Sequence, residues 1–175
     1  MFNYINLLSF RRFYKFVFIN YFMKEYIERY NDIVNELVKK SFSKLKDKKI
    51  KIFEFGFINL YGLFLPFNFI GMNKKCRGFS EEEIRGILAH ELCHAEFGAK
   101  KGILWLMVFF VFYWFFSKLR IDEEIRNDRE VVKKGYAKEL FKITKRIEKE
   151  YNLDNIKYGL SSKEIKSYAR KIKKW

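Results

Sequence analysis

The chain has 175 residues and a formal net charge of +15, with 49 % apolar residues, 20 % aromatic residues, one proline and nine glycines. That length and apolar content suit one domain with a core of its own, and so little proline and glycine exclude a collagen-like, linker-like or disordered chain. Two cysteines, Cys76 and Cys93, are too few for a secreted disulfide scaffold and fit a reducing compartment. The first ten residues lack a charged leader, and no small-residue cleavage site follows an apolar stretch, so no signal peptide is predicted. The positive charge predicts attraction to anionic surfaces. Lysines that merely solvate helix faces would give the same balance.

Residues 2–23 are rich in Phe, Tyr, Ile and Leu, interrupted by Arg11, Arg12 and Lys15. From about Tyr21 the apolar positions Tyr26, Ile27, Tyr30, Ile33, Val34, Leu37 and Val38 recur at steps of three and four, which predicts a long helix ending near Lys40. Residues 50–73 change character. Ile50, Ile52, Phe53, Phe55, Phe57 and Ile58 are β-prone, and Gly56, Gly62, Pro66 and Gly71 punctuate them. Two or three short strands are expected, the last around Phe67–Met72. Ser80 followed by Glu83 is a capping-box pattern, and Glu81, Glu82 and Glu83 suit the positive end of a helix. This helix is predicted to run to Phe97 and stop at Gly98. The apolar run 103–116 follows, flanked by Lys100, Lys101, Lys118 and Arg120. Helices are then expected over 121–134, stopped by Gly135, and over 136–151. A last basic helix, capped by Ser161 with Glu164, is predicted to end at Trp175. The organisation expected is an aromatic helical segment 1–40, a core 41–151 with a hydrophobic insertion 102–117, and a basic helical tail 152–175.

The only two histidines stand in His90-Glu91-Leu92-Cys93-His94. Residues four apart lie above one another on a helix, so two imidazoles at this spacing can hold one Zn²⁺ while the adjacent glutamate reaches a water beside it. Two histidines scattered at random would meet this H-E-x-x-H pattern on the order of once in a thousand chains. The plain alternative is an accidental pair on a surface helix. A catalytic zinc needs a third protein ligand and one open position. No third histidine exists, so that ligand is Asp, Glu or Cys. Glu124 is the leading candidate because Asp128 follows one helical turn later, placed to accept the free N–H of a ligating imidazole. Glu123 is the competitor, and a solvated acidic helix face is the plain alternative for the whole group. Cys93 is expected to pack rather than ligate.

The segment Phe79–Gly98, FSEEEIRGILAHELCHAEFG, resembles the active-site helix of HtpX-type membrane metallopeptidases and CAAX prenyl endopeptidases. Glu124 to Asp128, continuing to Gly135 and Tyr136, looks like their glutamate helix, and the small minigluzincins share this core. The resemblance covers about residues 50–140. It implies an α+β, zincin-like fold with a small antiparallel sheet packed on the H-E-x-x-H helix, a glutamate helix and further helices. It implies a gluzincin-type zinc endopeptidase acting on peptide or protein substrates. His90, His94 and Glu124 would be the zinc ligands, Glu91 the general base and Asp128 the supporting carboxylate. The strand near Phe67–Met72 would be the edge strand that holds an extended substrate. Asn127 departs from the pattern, which carries a small residue there. Minigluzincins also resemble zymogens, so a latent form with the tail 161–175 over the cleft is expected to be one state of such a chain.

As a helix, residues 102–117 span about 24 Å against a bilayer core of about 30 Å, short for one crossing. His94 precedes the run and Glu124 follows it, so a single crossing would separate the ligands. The expectation is membrane association through 102–117 and the N-terminal segment, by a re-entrant, surface-lying or paired arrangement, with lysines meeting anionic headgroups and the active site on the cytoplasmic side. Two other classes stay open: a non-catalytic zinc module, and a basic membrane- or nucleic-acid-binding protein. No specific nucleic-acid motif is present.

Overall fold

Helical spacing of apolar residues, a capping box and three β-prone stretches resolve into an α+β fold in the computed structural model. It describes residues 24–56, 60–102, 104–105, 107–108, 112, 116–152 and 159–175. The aromatic segment 1–23 and most of the apolar run lie outside the described residues, as do the structural expectations placed on them. Helix α1 spans residues 24–41. A 3-10 turn at Ser43–Leu45 leads to strands β1 (Lys51–Phe55), β2 (Gly62–Leu65) and β3 (Phe69–Asn73), and a second 3-10 turn at Lys74–Gly78 leads to α2 (Glu81–Lys101). Helices α3 (Ser117–Lys133), α4 (Ala137–Glu150) and α5 (Ser162–Lys171) complete the chain.

The sheet is mixed, not antiparallel as expected. Its order is β1-β3-β2, with β3 antiparallel to β2 and parallel to β1. The link Pro66–Asn68 folds β2 back on β3 as a hairpin, with Phe67 and Asn68 in the left-handed region. The chain between β1 and β2 carries β1 to the far side of β3, so β1 and β3 run the same way. The expectation for Phe67–Met72 is corrected too: β3 is the central strand, and the free edge beside the α2 helix belongs to β2.

Both capping boxes form. Ser80 Oγ accepts from the Glu83 N–H while the Glu83 carboxylate accepts from the Ser80 N–H, and Ser161 with Glu164 repeats the arrangement on α5. Glu83 also receives the Arg146 guanidinium, which joins the start of α2 to α4. Helix α2 passes through Gly98 and ends at Gly102, contrary to the predicted stop. Ala99, Lys100 and Lys101 are good helix formers, basic residues suit a last turn, and Gly98 is buried within the helix. The final helix stops at Lys171 rather than Trp175, and the indole turns back onto Phe141 of α4 with ring centroids 5.2 Å apart.

One apolar cluster holds these elements together. Tyr30, Ile33, Val34 and Leu37 of α1 join Ile70 and Met72 of β3, Ile84, Leu88 and Leu92 of α2, Val131 and Val132 of α3, and Ile165 of α5. Lys134, just past α3, pairs with Glu96 of α2 at 3.1 Å and donates to the Ser41 carbonyl at 2.8 Å, closing the corner where α1, α2 and α3 meet.

Helices α2 and α4 approach closely at Gly86, where an added Cβ would stand 2.6 Å from the Glu139 carbonyl oxygen. On an exposed helix, Gly→Ala gains about 1 kcal/mol of helix propensity. At this position the backbone of α4 must yield, and overpacking costs typically 1–3 kcal/mol. Gly86→Ala is therefore expected to lower stability by roughly 1–2 kcal/mol in urea denaturation, the reverse of the propensity effect.

Candidate metal centre

The 3.6-residue repeat of α2 puts His90 and His94 on one face, one turn apart, and α3 lays Glu124 against them. His90 Nε2 is 2.8 Å from Glu124 Oε2 and 3.2 Å from His94 Nε2, and His94 Nε2 is 3.6 Å from Glu124 Oε1. Zinc held tetrahedrally by nitrogen and carboxylate oxygen, at about 2.0–2.2 Å each, sets its donors roughly 3.3 Å apart. One ligand atom from each of the three residues lies within 4.8 Å of the other two, close to that spacing, with His90 nearest one Glu124 oxygen and His94 nearest the other. Their chemistry, two imidazoles and one carboxylate, fits zinc with a position left for water or substrate.

Asp128 supports His90 from behind. Its Oδ1 lies 2.9 Å from His90 Nδ1, and its Oδ2 accepts the Leu160 N–H at 2.7 Å. The same carboxylate thus orients the His90 ring and ties down the chain entering α5. Glu123 does not join the donor triangle. It lies at the back of His94, with Oε1 3.8 Å from Nδ1, and it pairs with Arg126. Glu124, rather than Glu123, is the carboxylate that stands beside both imidazoles, with Asn127 in place of the small residue of the pattern. Asn127 is buried and places its Nδ2 2.7 Å from His94 Nδ1 and 3.0 Å from His94 Nε2.

Glu91 faces the sheet. Its carboxylate lies toward the backbone N–H of Phe64 in β2, which eases its ionised form. Gly62 permits this approach, since a Cβ there would collide with that carboxylate and stand 2.7 Å from Ile87 Cγ2. The Phe64 ring lies parallel to His94, with an interplanar angle of 2°. Sequence reasoning missed β2 as the strand beside Glu91, the Leu160 N–H on Asp128, and the Asn127 contact. The first two are backbone groups, which carry no side-chain signal. The third was visible only as a misfit to a pattern. Cys93 is packed into the core, as expected, with burial pushing its thiol up to about 12, so it stays neutral.

The charges are strongly coupled. Burial alone would lower the His90 pKa, but the hydrogen bonds it donates to Asp128 and Glu124 outweigh it and hold the imidazole well above its ordinary value. Burial would raise Glu124, but its bonds to His90 and His94 hold it well below the carboxylate range. Burial raises Glu91, with only partial relief from the histidines.

No protein-family model matches this chain, and neither a curated protein nor a solved structure matches it.

The sign of the pH dependence follows from the two shifts. A raised His90 pKa stabilises the metal-free fold below the unfolded value, and that stabilisation is lost as pH rises through the folded value. A depressed Glu124 pKa stabilises above its unfolded value and is lost on acidification. With a chelator present, the melting temperature should fall as pH is raised above neutrality. Added Zn²⁺, which competes with the His90 proton, should restore most at the alkaline end. Thermal melts across the pH series check both.

Proposed function

We propose that the protein is a zinc-dependent endopeptidase of gluzincin type, with His90, His94 and Glu124 as the metal ligands. The observation that supports this most is the convergence of Glu124 on the His90–His94 pair with the spacing zinc requires, with Glu91 buried beside them. When bound, the metal would polarise the scissile carbonyl and lower the pKa of water toward ~7.

The remaining chemistry belongs to the chain. Glu91 takes a proton from the attacking water as its oxygen bonds to the carbonyl carbon, then delivers that proton to the amide nitrogen as the C–N bond breaks. Burial favours a Glu91 carboxyl that holds a proton readily, which suits a group that must both accept and return one. Asp128 keeps the His90 ring oriented, with its Nδ1 engaged and Nε2 turned to the ligand cluster. The free edge of β2 offers backbone groups to an extended peptide. The Phe64 N–H would exchange its contact with Glu91 for a substrate carbonyl, freeing the carboxylate at the moment a peptide arrives.

Glu91→Gln should leave zinc content at one per chain and reduce peptide cleavage by at least a hundredfold. Glu124→Ala should lose both. Elemental analysis beside a quenched-peptide assay separates the two variants. Wild-type cleavage unchanged in Glu91→Gln would remove the mechanism, and a wild type that takes up no zinc would remove the function.

The site of action follows from the neighbouring chain. Leu104, Met107, Val108, Phe112 and Phe116 are exposed, and the flanking Lys100, Lys101 and Lys118 are exposed too. Apolar side chains rimmed by cations suit the surface of an anionic bilayer. Among the described residues no helix is long and apolar enough to cross a membrane. The protein should co-sediment with vesicles containing phosphatidylserine, less with pure phosphatidylcholine, and Leu104→Asp combined with Phe112→Asp should weaken both. No sedimentation with either vesicle would rule out this placement.

A further inference from the structure

His90 and His94 are supported differently, and the difference assigns a role to Glu123. A histidine that ligates through Nε2 carries its proton on Nδ1 and needs an acceptor there. His90 has Asp128 Oδ1 at 2.9 Å. His94 meets instead the Asn127 amide nitrogen, 2.7 Å from Nδ1 and 3.0 Å from Nε2. An amide NH₂ only donates, so it cannot receive the Nδ1 proton of a ligating His94. Asn127 cannot simply reverse its amide, because its Oδ1 accepts from Arg126 Nη2 at 3.1 Å. The nearest anionic acceptor is Glu123, with Oε1 3.8 Å from His94 Nδ1 and the side chain almost fully buried. Arg126 pairs with that carboxylate, and its guanidinium lies 3.3 Å over the Phe97 ring of α2, which fixes the ion pair in place.

We propose that Glu123 is the positioning residue for His94: in the metal-loaded protein its carboxyl group accepts the His94 Nδ1–H, with Arg126 holding it in place. The inference rests on zinc being held by His90, His94 and Glu124. Asn127 then acts in opposition, since its amide favours an arrangement of His94 that does not ligate.

The test uses the full-length chain and zinc itself. Zinc affinity is measured by chelator competition in wild type, Glu123→Gln, Asn127→Ala and Glu130→Gln, the last a half-buried control on the same helix that pairs with Lys133. Supporting residues of this kind contribute about ten- to a hundredfold in metal affinity. Glu123→Gln should lose that much, Glu130→Gln should match wild type, and Asn127→Ala should bind at least as tightly as wild type. A purely structural role for Glu123 would leave the imidazole tautomer unmoved, so ¹⁵N NMR of the zinc-loaded protein provides a second readout. With two histidines in the chain, the His94 Nδ1–H resonance is readily assigned, and it should shift in Glu123→Gln while that of His90 does not. Zinc bound by wild type and by Glu123→Gln with equal affinity, or an unmoved His94 resonance, would overturn the role of Glu123 alone. A wild type that binds no zinc would overturn the metal site and this role together.

Discussion

His90 lies between two carboxylates in the layer where α2 meets α3, and the placement of α2, α3 and α5 depends on that arrangement. A buried charge is tolerated only when it is paired and its remaining donors and acceptors are filled. Glu124 and Asp128 are one turn apart on α3, so both can reach the same imidazole only if α3 lies along α2 at one rotation. Asp128 spends its second oxygen on the Leu160 N–H, which fixes where α5 begins. Apolar burial supplies most of the folding free energy. It is the charge cluster that sets the rotational register of the helices, because a slip by one residue would leave an ionised carboxylate buried without its partner.

The same arrangement constrains the segment that links α2 to α3. His94 and Glu124 stand 3.6 Å apart, so the chain leaves α2 after Lys101 and returns at Ser117 on the same side of any bilayer. A single crossing is incompatible with that distance. The length of the run already speaks against a spanning helix, and the approach of His94 to Glu124 does so independently.

Much of this was legible in the residues, for identifiable reasons. Ser80–Glu83 and Ser161–Glu164 carry side-chain-to-backbone chemistry that declares a helix start, and both appear where expected. H-E-x-x-H encodes a shared helix face through spacing alone, and a four-residue step on α3 encodes the Glu124–Asp128 pair. What sequence could not convey was set by long-range backbone pairing. The parallel β1–β3 ladder places β3 in the centre and leaves β2 on the edge, and strands of four or five residues contain no signal for their order. Gly98 looked like a helix stop because glycine commonly is one. Its burial within α2 overrides that preference, and Gly102 takes the terminal position instead.

A structural zinc site and a catalytic one differ in ways this geometry addresses. Structural sites are closed by four protein ligands. Here the described residues gather three donors, and Cys93, the nearest soft ligand in sequence, points its chemistry into the core. A structural site also has no use for a buried carboxylate next to its ligands. Glu91 is costly where it sits, since burial raises its pKa, and the chain accommodates it with a glycine at position 62 and a backbone N–H from the edge strand. Those two accommodations come from the strand that an extended peptide would pair with. His90, His94, Glu124, Glu91 and the edge strand β2 thus lie together, the grouping on which the proposed endopeptidase rests.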